Sequence, residues 1–217
     1  MNYVGYKWVD EAKTRRSAVV LKMNDGEKLN AFIKRCKREG FEPVDARNVI
    51  DRYKLMSDDL ICGDLNERRF NYGILLQNLA GDFNKASVIR NNNAFCGMEV
   101  ILFGEKQYDR RGTCGMHKYE HLRHVSVLDD LDIILKNYDQ IICIDNVDGA
   151  EAIEDYKFDH SVKTLFVFGE EGIGVCPELI ERCSKMLYIR QYGAVRSINV
   201  ACASAIVMYE YTRQKSV

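Results

Sequence analysis

The sequence predicts an α/β fold, a parallel sheet flanked by helices and preceded by a small N-terminal extension. Three observations predict it. From Phe70 onward, apolar runs of strand length recur at 72–79 (YGILLQNL), 98–104 (MEVILFG), 140–147 (QIICIDNV), 164–169 (TLFVFG) and 185–192 (KMLYIRQY). Helix-like stretches separate them, at 84–96, 126–137, 176–184 and 197–213. The runs are continuously apolar rather than alternating, the pattern of strands buried on both faces. Strands joined through helices of this length need crossover connections and therefore lie parallel. Ligands of such sheets gather beyond the carboxyl ends of the strands, where Gly104, Gly169 and Gln191 fall.

Taken in chain order, residues 1–66 read as a basic extension of mainly helical or irregular structure, and 67–217 as the α/β domain. Residues 1–40 carry ten Lys or Arg against five Asp or Glu, with KRCKR at 34–38. Such an arm on a near-neutral body can be an electrostatic footprint for RNA or DNA, here through Lys34, Arg35, Lys37 and Arg38 toward RNA phosphates; a solvated helix face is the commoner outcome for charge runs. Apolar residues at 29, 32, 33 and 36 give 27–42 helical spacing, stopped by Gly40. Pro177 suits the first position of the helix after the fourth strand. Ser197 is a good cap for the last helix, whose Ala201, Ala203 and Ala205 permit close approach to another element.

The chain of 217 residues is 47% hydrophobic and 29% charged, with net charge −1. A packed core is expected and disorder is not. No apolar run is long enough to span a bilayer, and the polar start lacks a signal peptide's apolar core, so a cytoplasmic location with no membrane partner is expected. Eight scattered cysteines without a C-x-x-C pair fit reduced, inert thiols. Cys114, His117, His121 and His124 fall within eleven residues. One Cys and this His spacing do not make a zinc site, and no metal is expected. The segment reads instead as a mobile loop offering Arg110, Arg111 and Lys118 to RNA, or as an exposed loop without a role.

The glycine-rich stretch FGEEGIGV (168–175) follows a strand, as phosphate loops do. Its glycines, at 169, 172 and 174, are not in the dinucleotide order G-x-G-x-x-G, and no Lys follows the last one. Glu170 and Glu171 would repel a pyrophosphate, so the turn suits a neutral or cationic ligand. Two further groups flank it in the chain: Asn84 with Arg90 after the first strand of the domain, and Ser197 with Asn199 opening the last helix.

In that order, N-x(5)-R, G-x-E-x-x-G-V and S-x-N, these motifs resemble the SpoU (TrmH-like) family of the SPOUT superfamily, S-adenosyl-L-methionine-dependent RNA ribose 2′-O-methyltransferases. The resemblance covers roughly 70–213. It departs from the family pattern at Ala86 and Cys96, where glycines are usual, at Arg190, where proline is usual, and mildly at Ile198. It implies a SPOUT-type sheet with a C-terminal trefoil knot and a homodimer acting on tRNA or rRNA, with tRNA preferred. It implies that Phe168, Gly169, Gly174, Ile189, Ile198 and Asn199 bind S-adenosyl-L-methionine, and that Arg90, Asn84, Glu171, Ser197 and Asn199 serve catalysis. A weakly active or non-catalytic RNA-binding protein of the same fold is the alternative, favoured by Ala86, Cys96 and Arg190.

Overall fold

The computed structural model describes the backbone of residues 3–11, 15–24, 27–77 and 79–215, with side chains from Leu21 onward within those stretches. The chain divides into two compact units, Met1–Ile61 and Cys62–Val217.

The first unit corrects the sequence reading of a mainly helical or irregular extension. Strands β1 (Tyr3–Glu11) and β2 (Arg15–Lys22) pair antiparallel, and β3 (Glu42–Asp45) adds to the other edge of β1. The aromatic and β-branched residues of YVGYKWV and SAVV carry the strand propensity. Reading that segment for charge alone hid it. Helix α1 (Leu29–Glu39) ends at Gly40 in the left-handed conformation, φ 74°, the usual stop. It buries Phe32 and Cys36 against Leu21, Met23, Leu29, Phe41 and Leu55. Arg47 and Asp45 form a buried bidentate pair, with Arg47 Nη2 2.6 Å from Asp45 Oδ2. Helix α2 (Asp58–Asn66), which the sequence reading left as polar and mixed, spans the boundary between the units.

The second unit is built on seven strands, all paired in parallel, in the order β6-β5-β4-β9-β7-β10-β8. They are β4 (Tyr72–Gln77), β5 (Glu99–Phe103), β6 (Leu122–Val125), β7 (Gln140–Ile144), β8 (Glu151–Ala152), β9 (Thr164–Phe168) and β10 (Lys185–Tyr188). Five match the predicted runs, each ending earlier than the apolar run; Asn78, inside the first run, lies outside the described residues. The edge strands β6 and β8 were not expected, because LRHV is half exposed and β8 has two residues. Helices α3 (Asp82–Ala94), α4 (Leu128–Leu135), α5 (Pro177–Ile180) and α6 (Val200–Lys215) supply the covering layers.

Alternate strand residues serve opposite faces. Ile74, Leu76, Phe166 and Phe168 pack with Val88 and Ile89 of α3 and with Met208 and Tyr211 of α6. Leu75, Leu165, Val167 and Cys143 pack with Leu131 and Leu135 of α4 and Leu179 of α5. This is why the strands read as unbroken apolar runs. Among the described residues no helix is long and apolar enough to cross a membrane.

Candidate active site

A cavity of about 370 Å³ opens beyond the carboxyl ends of β7, β9 and β10 and reaches the start of α6. Phe168, Gly169 and Gly174 line it from the glycine-rich turn. Ile189, Ser197, Ile198 and Asn199 line it from the segment between β10 and α6, and Glu171 lines it from the turn. All six residues expected to bind the methyl donor thus share one cavity.

The turn is held by its backbone. Glu170 N donates to Gly174 O at 3.1 Å and Gly174 N to Glu170 O at 3.0 Å. Gly169 sits under this pair: a Cβ there would lie 2.1 Å from Gly174 C and 2.2 Å from Val175 N. Gly174 has φ 77°, and a Cβ on it would meet Asp145 Oδ2 at 2.5 Å. The glycines let the two arms of this one turn lie close together, and Asp145 ties the second arm by accepting from Val175 N at 3.3 Å.

Three distant segments meet at the mouth of the cavity. Asn84 Nδ2 donates to Glu171 Oε1 at 2.8 Å, and Asn199 Nδ2 donates to Asn84 Oδ1 at 2.9 Å. Asn199 Oδ1 in turn accepts from Ala201 N at 2.8 Å. The polarity of this chain is fixed at both ends, since an ionised carboxylate only accepts and a backbone N–H only donates. It also settles the start of the last helix. The sequence reading began that helix at Ser197; it begins at Val200, and Asn199 caps it. Ser197 is exposed on the cavity wall.

Arg90 is a second correction. The sequence reading let Asn84 and Arg90 face one cleft. Six residues on a helix turn the side chain by about 600°, leaving the two about 120° apart. Arg90 is exposed and is not among the cavity's lining residues. Asn91, seven residues after Asn84, takes the shared face and donates to Ala201 O at 3.0 Å.

The departures from the family pattern are each accommodated. Ala86 is fully buried and abuts Gly112, where a Cβ would lie 2.8 Å from Ala86 Cβ. Cys96 takes the left-handed conformation that a glycine would provide, φ 53°. Arg190 pairs with Glu154 at 2.6 Å and Asp155 at 3.4 Å, outside the cavity.

The basic residues separate into groups. Lys34, Lys37 and Arg38 are exposed on one face of α1. Arg35 is committed elsewhere: it donates to Glu27 at 2.9 and 2.7 Å and to Lys22 O at 2.9 Å. Its hydrogen bonds hold the Glu27 carboxyl down at about 2. Segment 109–124, expected as a mobile loop, forms two 3-10 turns, Arg110–Thr113 and Met116–Lys118, and runs into strand β6. Arg110, Arg111 and Lys118 are exposed on them, with Arg111 paired to Asp109 at 2.6 Å. The nearby histidines have separate partners: His117 meets Thr113 Oγ1 at 2.7 Å, His121 meets Asn66 Oδ1 at 2.9 Å and His124 meets Gly104 O at 2.7 Å. Among the described residues no group of three or more His, Cys, Asp or Glu could hold a metal.

Asp145 and Arg196 also line the cavity and were not singled out, and Gln191, noted only for its place at a strand end, lines it too. Asp145 was read as part of a strand ending at 147. The strand rule itself could have found it, because the unbroken apolar run of β7 stops at Ile144.

Comparison with known proteins gives a consistent picture. The model of the SpoU rRNA Methylase family matches residues 71–209. A tRNA (guanosine(18)-2′-O)-methyltransferase of Aquifex aeolicus is 26% identical over 155 residues, covering 70% of this chain and 73% of that protein. The crystal structure of the A. aeolicus TrmH/SpoU tRNA modifying enzyme superposes with a TM-score of 0.65 at 24% identity, covering 73% of this chain and 82% of that one. The SpoU methyltransferase AviRb of Streptomyces viridochromogenes, solved in complex with AdoMet, gives 0.60 at 21% identity, covering 75% and 64%. At these identities the structural matches speak for the fold.

Proposed function

We propose, from the premise that this chain belongs to the SpoU rRNA methylase family, that it methylates a ribose 2′-hydroxyl of structured RNA, tRNA in preference to rRNA, using S-adenosyl-L-methionine. The observation that carries the reading is the hydrogen-bonded chain Glu171–Asn84–Asn199, which joins all three motifs at the mouth of one cavity. The cavity is of a size for a nucleoside-sized ligand. Its charged lining residues are Asp145, Glu170 and Glu171 against Arg196, an acidic balance that suits a cation. When bound, S-adenosyl-L-methionine supplies an electrophilic methyl group on a positively charged sulfur.

The protein's part is placement. A 2′-hydroxyl is a poor nucleophile, and holding it in line with its target supplies much of the acceleration. Asn84, Asn199 and Ser197 offer polar groups for the nucleotide at the cavity mouth, and Glu171 holds Asn84 in orientation. A guanidinium donates and does not accept, so the part of general base does not suit Arg90. It grips a phosphate of the target and stabilises charge developing on the 2′-oxygen.

The outward position of Arg90 favours a homodimer, in which sites draw on both chains. Cys202, Ile206 and Tyr209 form an exposed stripe at helical spacing on α6 for a second copy to cover. A trefoil knot formed by the chain around the turn and the last helix, and a cytoplasmic location, belong to the same reading. The departures at Ala86, Cys96 and Arg190 leave the cavity intact, which favours catalysis over a silent RNA binder.

The test is transfer of labelled methyl from S-adenosyl-L-methionine to bulk tRNA and, separately, to rRNA. Label in tRNA that makes one dinucleotide resistant to alkali is the expected result. Arg90→Ala should lower transfer by about 10²-fold or more, as losing a charge-stabilising donor does. Donor binding without transfer to either RNA would sink the catalytic reading.

RNA binding gives a further expectation. Neutralising Lys34, Lys37 and Arg38 together should reduce the slope of log K against log salt by about 2 to 3. Arg35 is left out because it braces Glu27. An unchanged slope would remove α1 from the RNA-binding surface.

A further inference from the structure

Gln191 lines the cavity, and its Oε1 is buried without a hydrogen-bond partner among the described residues. Several neighbouring side-chain acceptors of the wall are occupied. Asp145 Oδ1 accepts from Asn146 N at 2.7 Å and Oδ2 from Val175 N. Glu171 Oε1 accepts from Asn84, and Asn199 Oδ1 from Ala201 N. A buried carbonyl oxygen left unpaired is costly, and buried polar atoms almost always find a partner. An orphan acceptor on a residue that lines a ligand cavity is open to a donor that a ligand brings.

We infer that Gln191 is a recognition residue for the methyl donor, its Oε1 accepting a hydrogen bond from the nucleoside portion, either an exocyclic amine or a ribose hydroxyl. The inference rests on the donor reading above. Nothing in it requires Gln191 to touch the transferred methyl group, so it sets affinity and selectivity rather than the rate of the bound complex. The chemistry is asymmetric in a useful way. Replacing Gln191 with methionine, similar in length and apolar, removes the orphan acceptor from the empty protein and the hydrogen bond from the complex.

The experiment is calorimetric binding of S-adenosylhomocysteine and of three analogues, the inosyl, 2′-deoxy and 3′-deoxy forms, to the full chain and to Gln191→Met. Thermal midpoints are measured without ligand. The full chain should bind the adenosyl compound and discriminate against the analogue that lacks the recognised group. Gln191→Met should bind the adenosyl compound about tenfold more weakly, lose that discrimination, and melt no lower than the parent. The analogue that is discriminated against identifies amine or hydroxyl. Equal affinities in parent and variant overturn the inference. So does a lowered midpoint with an equal loss for every analogue, which marks a structural residue. Failure of the parent to bind any of the four compounds overturns the donor reading itself.

Discussion

Replacing Asn84 with alanine is expected to lower kcat/KM for RNA methylation by about 10²-fold, the scale of a misplaced reacting group, while costing little stability. Asn84 is the middle residue of the hydrogen-bonded chain, donating to Glu171 and accepting from Asn199. Glu171 and Asn199 are exposed, so water can replace the lost partners and the folding cost stays near about 1 kcal/mol. The isosteric Asn84→Asp should be no better than alanine. It keeps the acceptor toward Asn199 but sets a second carboxylate at hydrogen-bond distance from Glu171, where like charges repel. The double variant Asn84→Asp/Glu171→Gln reverses the polarity of that bond, because the introduced amide can donate to the introduced carboxylate. It should recover activity relative to Asn84→Asp, the signature of direct coupling. Activity of Asn84→Ala within twofold of the parent would show that the chain is incidental to catalysis.

The parts of this fold that were legible in the sequence are those where one force decides. The five central strands are buried on both faces, so their apolar runs are unbroken, and only their ends are misread. At β7 the predicted strand was carried to Val147, but it stops at Ile144, where the apolar run ends, and the Asp145 carboxylate beyond it accepts from backbone N–H groups. The start of α6 was misread for a related reason. Ser197 and Asn199 are both good caps; Asn199 wins because its other end bonds to Asn84, 115 residues away. No local pattern contains that contact. In β1 and β2 the strand propensity was present and the charge count drew attention from it. The motifs were legible as an ordered set, but Arg90's direction follows from helix phase rather than motif spacing.

Gly169→Ala is expected to be the most damaging small substitution in the chain. The added methyl would lie 2.1 to 2.3 Å from Gly174 C, Val175 N and Gly174 O, all backbone atoms that cannot swing aside. The turn would have to open, breaking the Glu170–Gly174 pair and drawing Val175 from Asp145. Overpacking of this kind costs about 3 kcal/mol or more, a fall in Tm of about 6 to 12 °C for a unit of this size. Donor binding should be lost with it, since the turn forms one wall of the cavity. Gly172→Ala, in the same turn, is the control: no atom lies within 4 Å of a Cβ there, and its stability should change by less than about 0.5 kcal/mol. If Gly169→Ala melts within about 2 °C of the parent, as a change under about 1 kcal/mol would, the turn tolerates a side chain and the glycine is not required by it. If it behaves as expected, the glycine at the end of β9 serves the close approach of the turn's two arms. That explains why a glycine-rich turn after a strand here carries carboxylates and no phosphate-binding lysine.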